Sequence, residues 1–294
     1  MSQLDNTSPF SGISERFISR QDWAQFVQKV LEVTAEAYKG FCQKYTIKQD
    51  WEKDTFIIVF GDTLTINVED TLTITLEDTF TINLVDDIQT MIYKYRLYWN
   101  VLPQKFLYTP EMKTGEENSN KAVKIDIELS NWHLSEDDRI YFVWECKLLA
   151  DINLIRNRIL REKHRRLIPE YVTEGMVRFL DEHWKYSSEF DDAGMLGFVL
   201  YGAIEEIVNA INLAMINPKP LPKAPTSDQR HLWALMCAQK LSKADHLKAC
   251  NPNPLDGFVV YQSEHRRAFC GRDIRLHHLF FDFDVQTSTY ETDN

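Results

Sequence analysis

Lys124-Ile125-Asp126-Ile127-Glu128-Leu129, a polar loop, and then Arg139-Ile140-Tyr141-Phe142-Val143-Trp144-Glu145-Cys146-Lys147-Leu148-Leu149 form the stretch that decides how this chain folds. The first run alternates apolar and charged residues, and the second is aromatic and β-branched, the composition of a buried strand. Side chains on a strand alternate faces, so Glu145 and Lys147 point the same way while Cys146 points into the opposite layer. Asp126 then meets both across the sheet. Two carboxylates and an ammonium at one sheet edge make a hard oxygen site for a divalent cation, with a point charge beside it for a phosphate. The chemistry implied is metal-assisted phosphodiester hydrolysis.

Spacing alone is weak support, since a chain of this length contains roughly one accidental Glu-x-Lys. A second copy does occur, Glu111-Met112-Lys113, but it lies between Pro110 and Thr114-Gly115 in a segment that reads as a loop. Only the copy at Glu145 follows a strand-forming run. The competing reading makes Lys147 a strand-end charge and sets Asp126 and Glu128 on an exposed face.

The strand motif Ile125-Asp126-Ile127 followed by Phe142-Val143-Trp144-Glu145-Cys146-Lys147-Leu148 resembles the PD-(D/E)xK nuclease superfamily. The resemblance implies a restriction-endonuclease-like α/β core, a mixed central sheet flanked by helices, here with helical additions. It also implies that Asp126 and Glu145 bind Mg2+ (or Mn2+), that the Cys146 backbone carbonyl completes the metal shell, and that Lys147 orients or activates the attacking water. Position 125 is Ile where the superfamily name carries Pro, a common variation. Tyr171-Val172-Thr173-Glu174-Gly175-Met176-Val177-Arg178-Phe179 and Gly194-Met195-Leu196-Gly197-Phe198-Val199 resemble segments of bacterial nuclease-like proteins suspected of anti-phage roles. So do Tyr261 to Arg266 and Leu276 to Phe280. The likeness spans about residues 120 to 284.

The net charge of −11, from 33 basic and 44 acidic residues, excludes an indiscriminate binder of polyanions, so any steering of nucleic acid is local. Between Arg156 and Arg166 the chain carries Arg156, Arg158, Arg161, Lys163, Arg165 and Arg166 against one acid, Glu162. That run, just downstream of the candidate site, is expected to track phosphates, although a solvated helix surface has the same composition. Arg178, His265 and Arg266 join the candidate nucleic-acid contacts. For Arg178 a packing or salt-bridge role competes, because it sits beside an apolar stripe.

Hydrophobic content of 44% and charged content of 26% are those of a globular protein. No apolar run reaches the length of a membrane span, and the first residues lack a secretory leader. A cytoplasmic protein without a membrane partner is expected, with nucleic acid (DNA rather than RNA) as partner and a homodimer or a defence-system protein as further candidates. Five cysteines with no paired spacing fit reduced thiols. His231, Cys237, His246 and Cys250 lack the spacing of a zinc site.

Residues 1–53 should hold a polar tail and an amphipathic helix bearing Trp23, Phe26, Val27, Val30 and Leu31 up to Gly40. Residues 54–85 repeat an octad beginning at Asp54, Asp62, Asp70 and Asp78. Alternation within each unit favours short hairpins, while Leu64, Val68, Leu72, Leu76, Phe80, Leu84 and Ile88, four apart, favour a helix; both remain open. Glu69 or Glu77 is placed to lend a third carboxylate, as an upstream helix acid does in part of the superfamily. Residues 86–285 form the nuclease-like domain, and 286–294 a disordered tail. Within it, helices are expected over Ile152 to Leu160, beyond Pro169 over Tyr171 to Phe179, and over Leu200 to Ile216, with strands at Gly257 to Tyr261 and Ile274 to Phe283. Ser263-x-His265 shows no orienting acid and reads as a phosphate contact or a turn, and the adjacent His277 and His278 face opposite ways.

Overall fold

The computed structural model describes residues 20–50, 55–60, 64–68, 73–107, 123–131, 140–155, 161–162, 164–180, 191–217, 230, 234, 241–267, 269–283 and 286–287. The chain is an α/β protein built on a mixed seven-stranded sheet. Helix α1 (Arg20–Lys44) comes first, followed by β1 (Tyr45–Asp50), β2 (Thr55–Phe60) and β3 (Leu64–Val68), then α2 (Thr73–Lys94), β4 (Trp99–Leu107), β5 (Val123–Asn131) and β6 (Tyr141–Ala150). An irregular helical run follows: α3 (Leu167–Glu170), a π-helical turn Tyr171–Gly175 and a 3-10 turn Met176–Phe179. The remainder is β7 (Asp192–Tyr201), α4 (Ile204–Ile216), β8 (Lys248–Ala249), β9 (Tyr261–Arg266), β10 (Asp273–Asp282) and β11 (Gln286–Thr287).

The large sheet has the order β4-β5-β6-β7-β10-β9-β8. Its three central strands run parallel, β6 to β7 and β7 to β10, and antiparallel ladders flank them. Alternation along β6 divides the core into two layers. Phe142, Trp144, Cys146 and Leu148 pack with α1 and α2. Val143 and Leu149 pack on the other face with Tyr171, Val172, Met176 and α4. Pro103 lies in β4, at the sheet edge, where a missing N–H is tolerated.

The octads resolve into both structures. The first two units supply β2 and β3, and the last two enter α2, which continues across residue 85 to Lys94. Thr55–Phe60 and Leu64–Val68 find partners in a four-stranded sheet of order β11-β1-β2-β3. Phe80, Leu84, Ile88 and Ile92 instead present a buried stripe at four-residue spacing against α1 and the large sheet. Near-identical segments thus take opposite conformations because their burial partners differ, a tertiary override of local preference. Residues 286–287, assigned above to a disordered tail, pair with β1 as β11.

Pro169 does not separate two helices. It falls within the first turn of α3, where no intrahelical N–H is needed, and the run continues through it. The strand expected at Gly257 to Tyr261 begins at Tyr261, because the inward positions Tyr261, Ser263 and His265 are partly polar and hide the alternation. No helix among the described residues is long and apolar enough to cross a membrane.

Candidate active site

The site arises where two neighbouring strands part. β5 pairs with β6 from Ser130↔Tyr141 to Ile127↔Trp144 and no further, while it stays paired with β4 down to Val123↔Leu107. β6 continues along β7 to Ala150. Beyond Trp144 the β5-facing edge of β6 therefore carries backbone N–H groups with no strand partner, and carboxylates take them. Cys146 N–H donates to Asp126 Oδ2 at 2.7 Å, and Leu148 N–H donates to Glu77 Oε2 at 3.2 Å. The fork thus brings together Asp126 from β5, Glu145 and Lys147 from β6, and Glu77 from the start of α2.

Lys147 Nζ sits in a cradle of three oxygens: the Cys146 carbonyl at 2.8 Å, Glu145 Oε1 at 2.9 Å and Glu77 Oε1 at 3.1 Å. Its side chain is 12% exposed and that of Glu145 is fully buried. Arg178, on the 3-10 turn, also donates to Glu145 Oε1, at 2.6 Å. Two glycines permit this packing. A Cβ at Gly175 would lie 2.5 Å from Met195 Cε and 3.6 Å from Lys147 Cγ, and one at Gly194 would lie 2.1 Å from the Trp144 ring.

The electrostatics follow from crowding. Burial and then the charge of Glu145 raise the Asp126 carboxyl to about 7. Burial likewise raises Glu77, against the pull of Lys147. Glu170, at the end of α3, is lifted to about 7 by burial and by Glu174, and it lies close enough to feel Lys147 and Glu77. Desolvation opposes the charge on Lys147, but Glu145, Glu77 and Asp126 outweigh it, so its ammonium is held well above the ordinary range.

The donors match a hard divalent cation in kind, and one observation asks for one: Glu145 Oε2 is buried and accepts no hydrogen bond. Such an orphan oxygen costs about 1–3 kcal/mol or more unless something positive meets it. In the arrangement seen, the Cys146 carbonyl faces the lysine, and among the described residues no three His, Cys, Asp or Glu side chains close around a metal position. Asp126 and Glu145 are the residues that would hold the cation.

The remaining candidates are scattered. Arg156, Arg158 and Lys163 lie outside the described residues, as do Glu69 and the second Glu-x-Lys. Arg161 donates to the Ile155 carbonyl at 2.9 and 2.7 Å, and the exposed Arg165 and Arg166 pair with Glu162 and Glu170. Arg266 is exposed beside Asp273. Glu128 is buried, not surface-facing. His265, expected at phosphate, is buried instead: its Nε2 meets Ser263 Oγ at 2.8 Å, and burial depresses it to about 4. The reason is parity, since Tyr261, Ser263 and His265 share the inward face of β9.

That face carries a polar chain. Burial keeps the Tyr171 phenol protonated, so its O–H donates to His278 Nδ1 at 2.9 Å. Neutral His278 then donates from Nε2 to Ser263 Oγ at 2.8 Å, and Ser263 donates onward to His265. His277 faces the opposite way, meeting Asp192 at 2.7 Å. Asp192 also accepts from Trp23 and is held below the usual carboxylate range: burial would raise it, but those bonds and Arg275 prevail. A cleft of about 700 Å³ opens here, lined by Asp192, Asp245, His265 and Arg275 among others, and none of Asp126, Glu145 or Lys147 lines it.

Sequence reasoning named Glu77 only as one of two options and missed Glu170. A helical period from Phe80 to Ile92 points Glu77 toward the sheet only once α2 is known to start near it; no signal marked Glu170. The chain matches no protein-family model, no curated protein and no solved structure, so the site's own geometry carries the functional reading.

Proposed function

We propose that this protein is a metal-dependent nuclease with a restriction-endonuclease-like core, hydrolysing phosphodiester bonds of nucleic acid, DNA in preference to RNA. The convergence of Asp126, Glu145, Lys147 and Glu77 at the fork between β5 and β6, with a buried Glu145 oxygen that accepts no hydrogen bond, supports this reading above all else. Mg2+ or Mn2+ held by Asp126 and Glu145 would supply a water of lowered pKa and shield charge on the scissile phosphate. Lys147, kept protonated by its carboxylates, has its three donors engaged, and would donate to the oxygen of an attacking water once Glu145 turns from it to the cation. Asp126, its Oδ2 held by the Cys146 N–H, is positioned against β6 to hold the cation. Glu77 fixes the direction of Lys147 and closes the Leu148 N–H.

Sequence preference would need base-edge contacts; cleavage without sequence choice or under a partner's direction is the expectation. An effector role in anti-phage defence follows from the resemblance alone. The test is incubation of linear and circular DNA and of RNA with Mg2+ or Mn2+, comparing the parent with Glu145→Gln and Asp126→Asn. Cleavage by the parent and its loss in both variants supports the reading; an inert parent overturns it. One observation favours a second reading, a silent nuclease fold used for interaction: the Lys147 ammonium already fills a three-oxygen cradle. Under that reading the parent binds no Mn2+.

A further inference from the structure

We propose that Arg178 is a phosphate clamp held in reserve: it pairs with Glu145 until a divalent cation arrives, then exchanges that carboxylate for a phosphate of the nucleic acid. The inference rests on the metal-dependent reading above. It starts from an asymmetry. Arg178 and Lys147 both load Glu145 Oε1, at 2.6 and 2.9 Å, while Oε2 of the same buried carboxylate receives no hydrogen bond. An arginine committed to a carboxylate for stability ordinarily bonds both oxygens side by side. Here one oxygen is doubly served and its twin is left over.

Charge points the same way. With a divalent cation keeping their protons off, Glu77, Asp126 and Glu145 supply three negative charges against the two positive ones of Lys147 and Arg178, one positive charge short before the cation itself is counted. A divalent cation would turn that deficit into an excess of one positive charge, and a phosphodiester carries one negative charge. The cluster is therefore neutral with both cation and phosphate in place, provided that one resident cation redirects itself to the phosphate.

Lys147 is the worse candidate to move. It is cradled by three oxygens, one a backbone carbonyl on its own strand, and is 12% exposed. Arg178 is 20% exposed and reaches the cluster from a different element, the 3-10 turn that buried Val177 and Phe179 anchor in the core. Its planar fork of donors suits a phosphate, whereas a lysine offers a point charge. The exposed Arg161, Arg165 and Arg166 lie outside this exchange.

The test measures binding, not turnover, on the full chain. A short fluorescent DNA duplex is titrated across salt concentrations in EDTA and in Ca2+, a hard cation with oxygen preference, and Mn2+ affinity is measured by calorimetry. In Ca2+, Arg178→Gln should lower the slope of log affinity against log salt by about 0.9, the loss of one phosphate contact. In EDTA the slopes of parent and variant should coincide, because Arg178 is then on Glu145. The variant should bind Mn2+ as tightly as the parent or tighter, having lost a competitor for the carboxylate. Arg178→Lys should keep the salt slope while weakening duplex affinity, and Arg178→Met, with the same expected loss of slope, replaces Arg178→Gln should the latter fail to fold. An unchanged slope in Ca2+, or weakened Mn2+ binding by the glutamine variant, overturns the exchange while leaving the nuclease reading standing. A parent that binds no Mn2+ sinks both.

Discussion

Replacing Lys147 by methionine separates a cation site from a self-contained salt link. Methionine keeps most of the buried stem and removes only the ammonium, leaving Glu77, Asp126 and Glu145 facing Arg178 alone. Breaking a buried ion pair from one side costs about 3–5 kcal/mol, because the stranded charges remain desolvated. Glu145 is fully buried and Lys147 nearly so, which argues against discounting that figure for solvent screening. At about 2–4 °C per kcal/mol, the variant should melt roughly 6–20 °C below the parent in EDTA. A divalent cation bound by the same carboxylates restores what the ammonium supplied. With metal at a hundredfold its dissociation constant, the recovery is about 2.7 kcal/mol, around half or more of the loss. Differential scanning fluorimetry of parent and variant across Mg2+ and Mn2+ titrations reads both quantities. The variant should also lose nuclease activity even when its melting point is restored. A variant whose melting point ignores both metals would show that these carboxylates serve the lysine only, and the argument for a cation would fail.

Three further outcomes follow. Asp126 holds its proton up to about pH 7 in the folded chain but only to about 4 when unfolded, so the native state carries the extra proton between those values. Metal-free stability should therefore fall as pH rises through that window. Asp126→Asn should shrink the fall seen in melts between pH 5 and 8.5, though not abolish it, because Glu170 titrates with the same sign; an undiminished slope would contradict the assignment. Ser263→Ala strands buried donors and acceptors on His278 and His265 and should cost about 1–3 kcal/mol for each in urea unfolding, whereas a loss below about 0.5 kcal/mol, the range of ordinary surface substitutions, would dissolve the chain as a structural element. Gly194→Ala drives a methyl group into the Trp144 ring and should destabilise by about 1–3 kcal/mol, with blue-shifted or altered tryptophan emission checking that the ring is what moves.

Some of this architecture could be read directly from residue order. The Tyr141 to Leu149 run forms the strand its composition calls for, and alternation places Glu145 with Lys147 and against Cys146. The same rule sends His277 and His278 to opposite faces. What stayed hidden depends on partners remote in sequence. Nothing within an octad says whether it will meet a neighbouring strand or the flank of α1, so units that read alike became strand and helix. His265 looked like a surface cation because its strand is short and half polar; its burial follows from the inward parity it shares with Tyr261 and Ser263, with Asp245 of the Ser242–Asp245 turn 3.7 Å from its ring. Glu170 enters the cluster unannounced, and the apolar spacing of Tyr171, Met176 and Phe179, read above as a helix, does not tell an α-helix from the π and 3-10 turns that carry Arg178 onto Glu145. Gly194 and Gly175 look like unremarkable small residues until the Trp144 ring and the Met195 side chain are seen against them.

The parting of β5 from β6 leaves a seam that regular ladder bonds could close. Its polar lining replaces hydrogen bonds that two more rungs of sheet would provide, and it keeps several charges out of water. Apolar replacements made together at 77, 126, 145, 147 and 178, stranding no charge and letting the strands rejoin, would be expected to yield a tougher protein. Selection for persistence alone would thus erode this locus, and its retention would have to come from use. A natural variant that melts higher than its parent would be the first place to look for a seam that has healed and a chemistry that has gone.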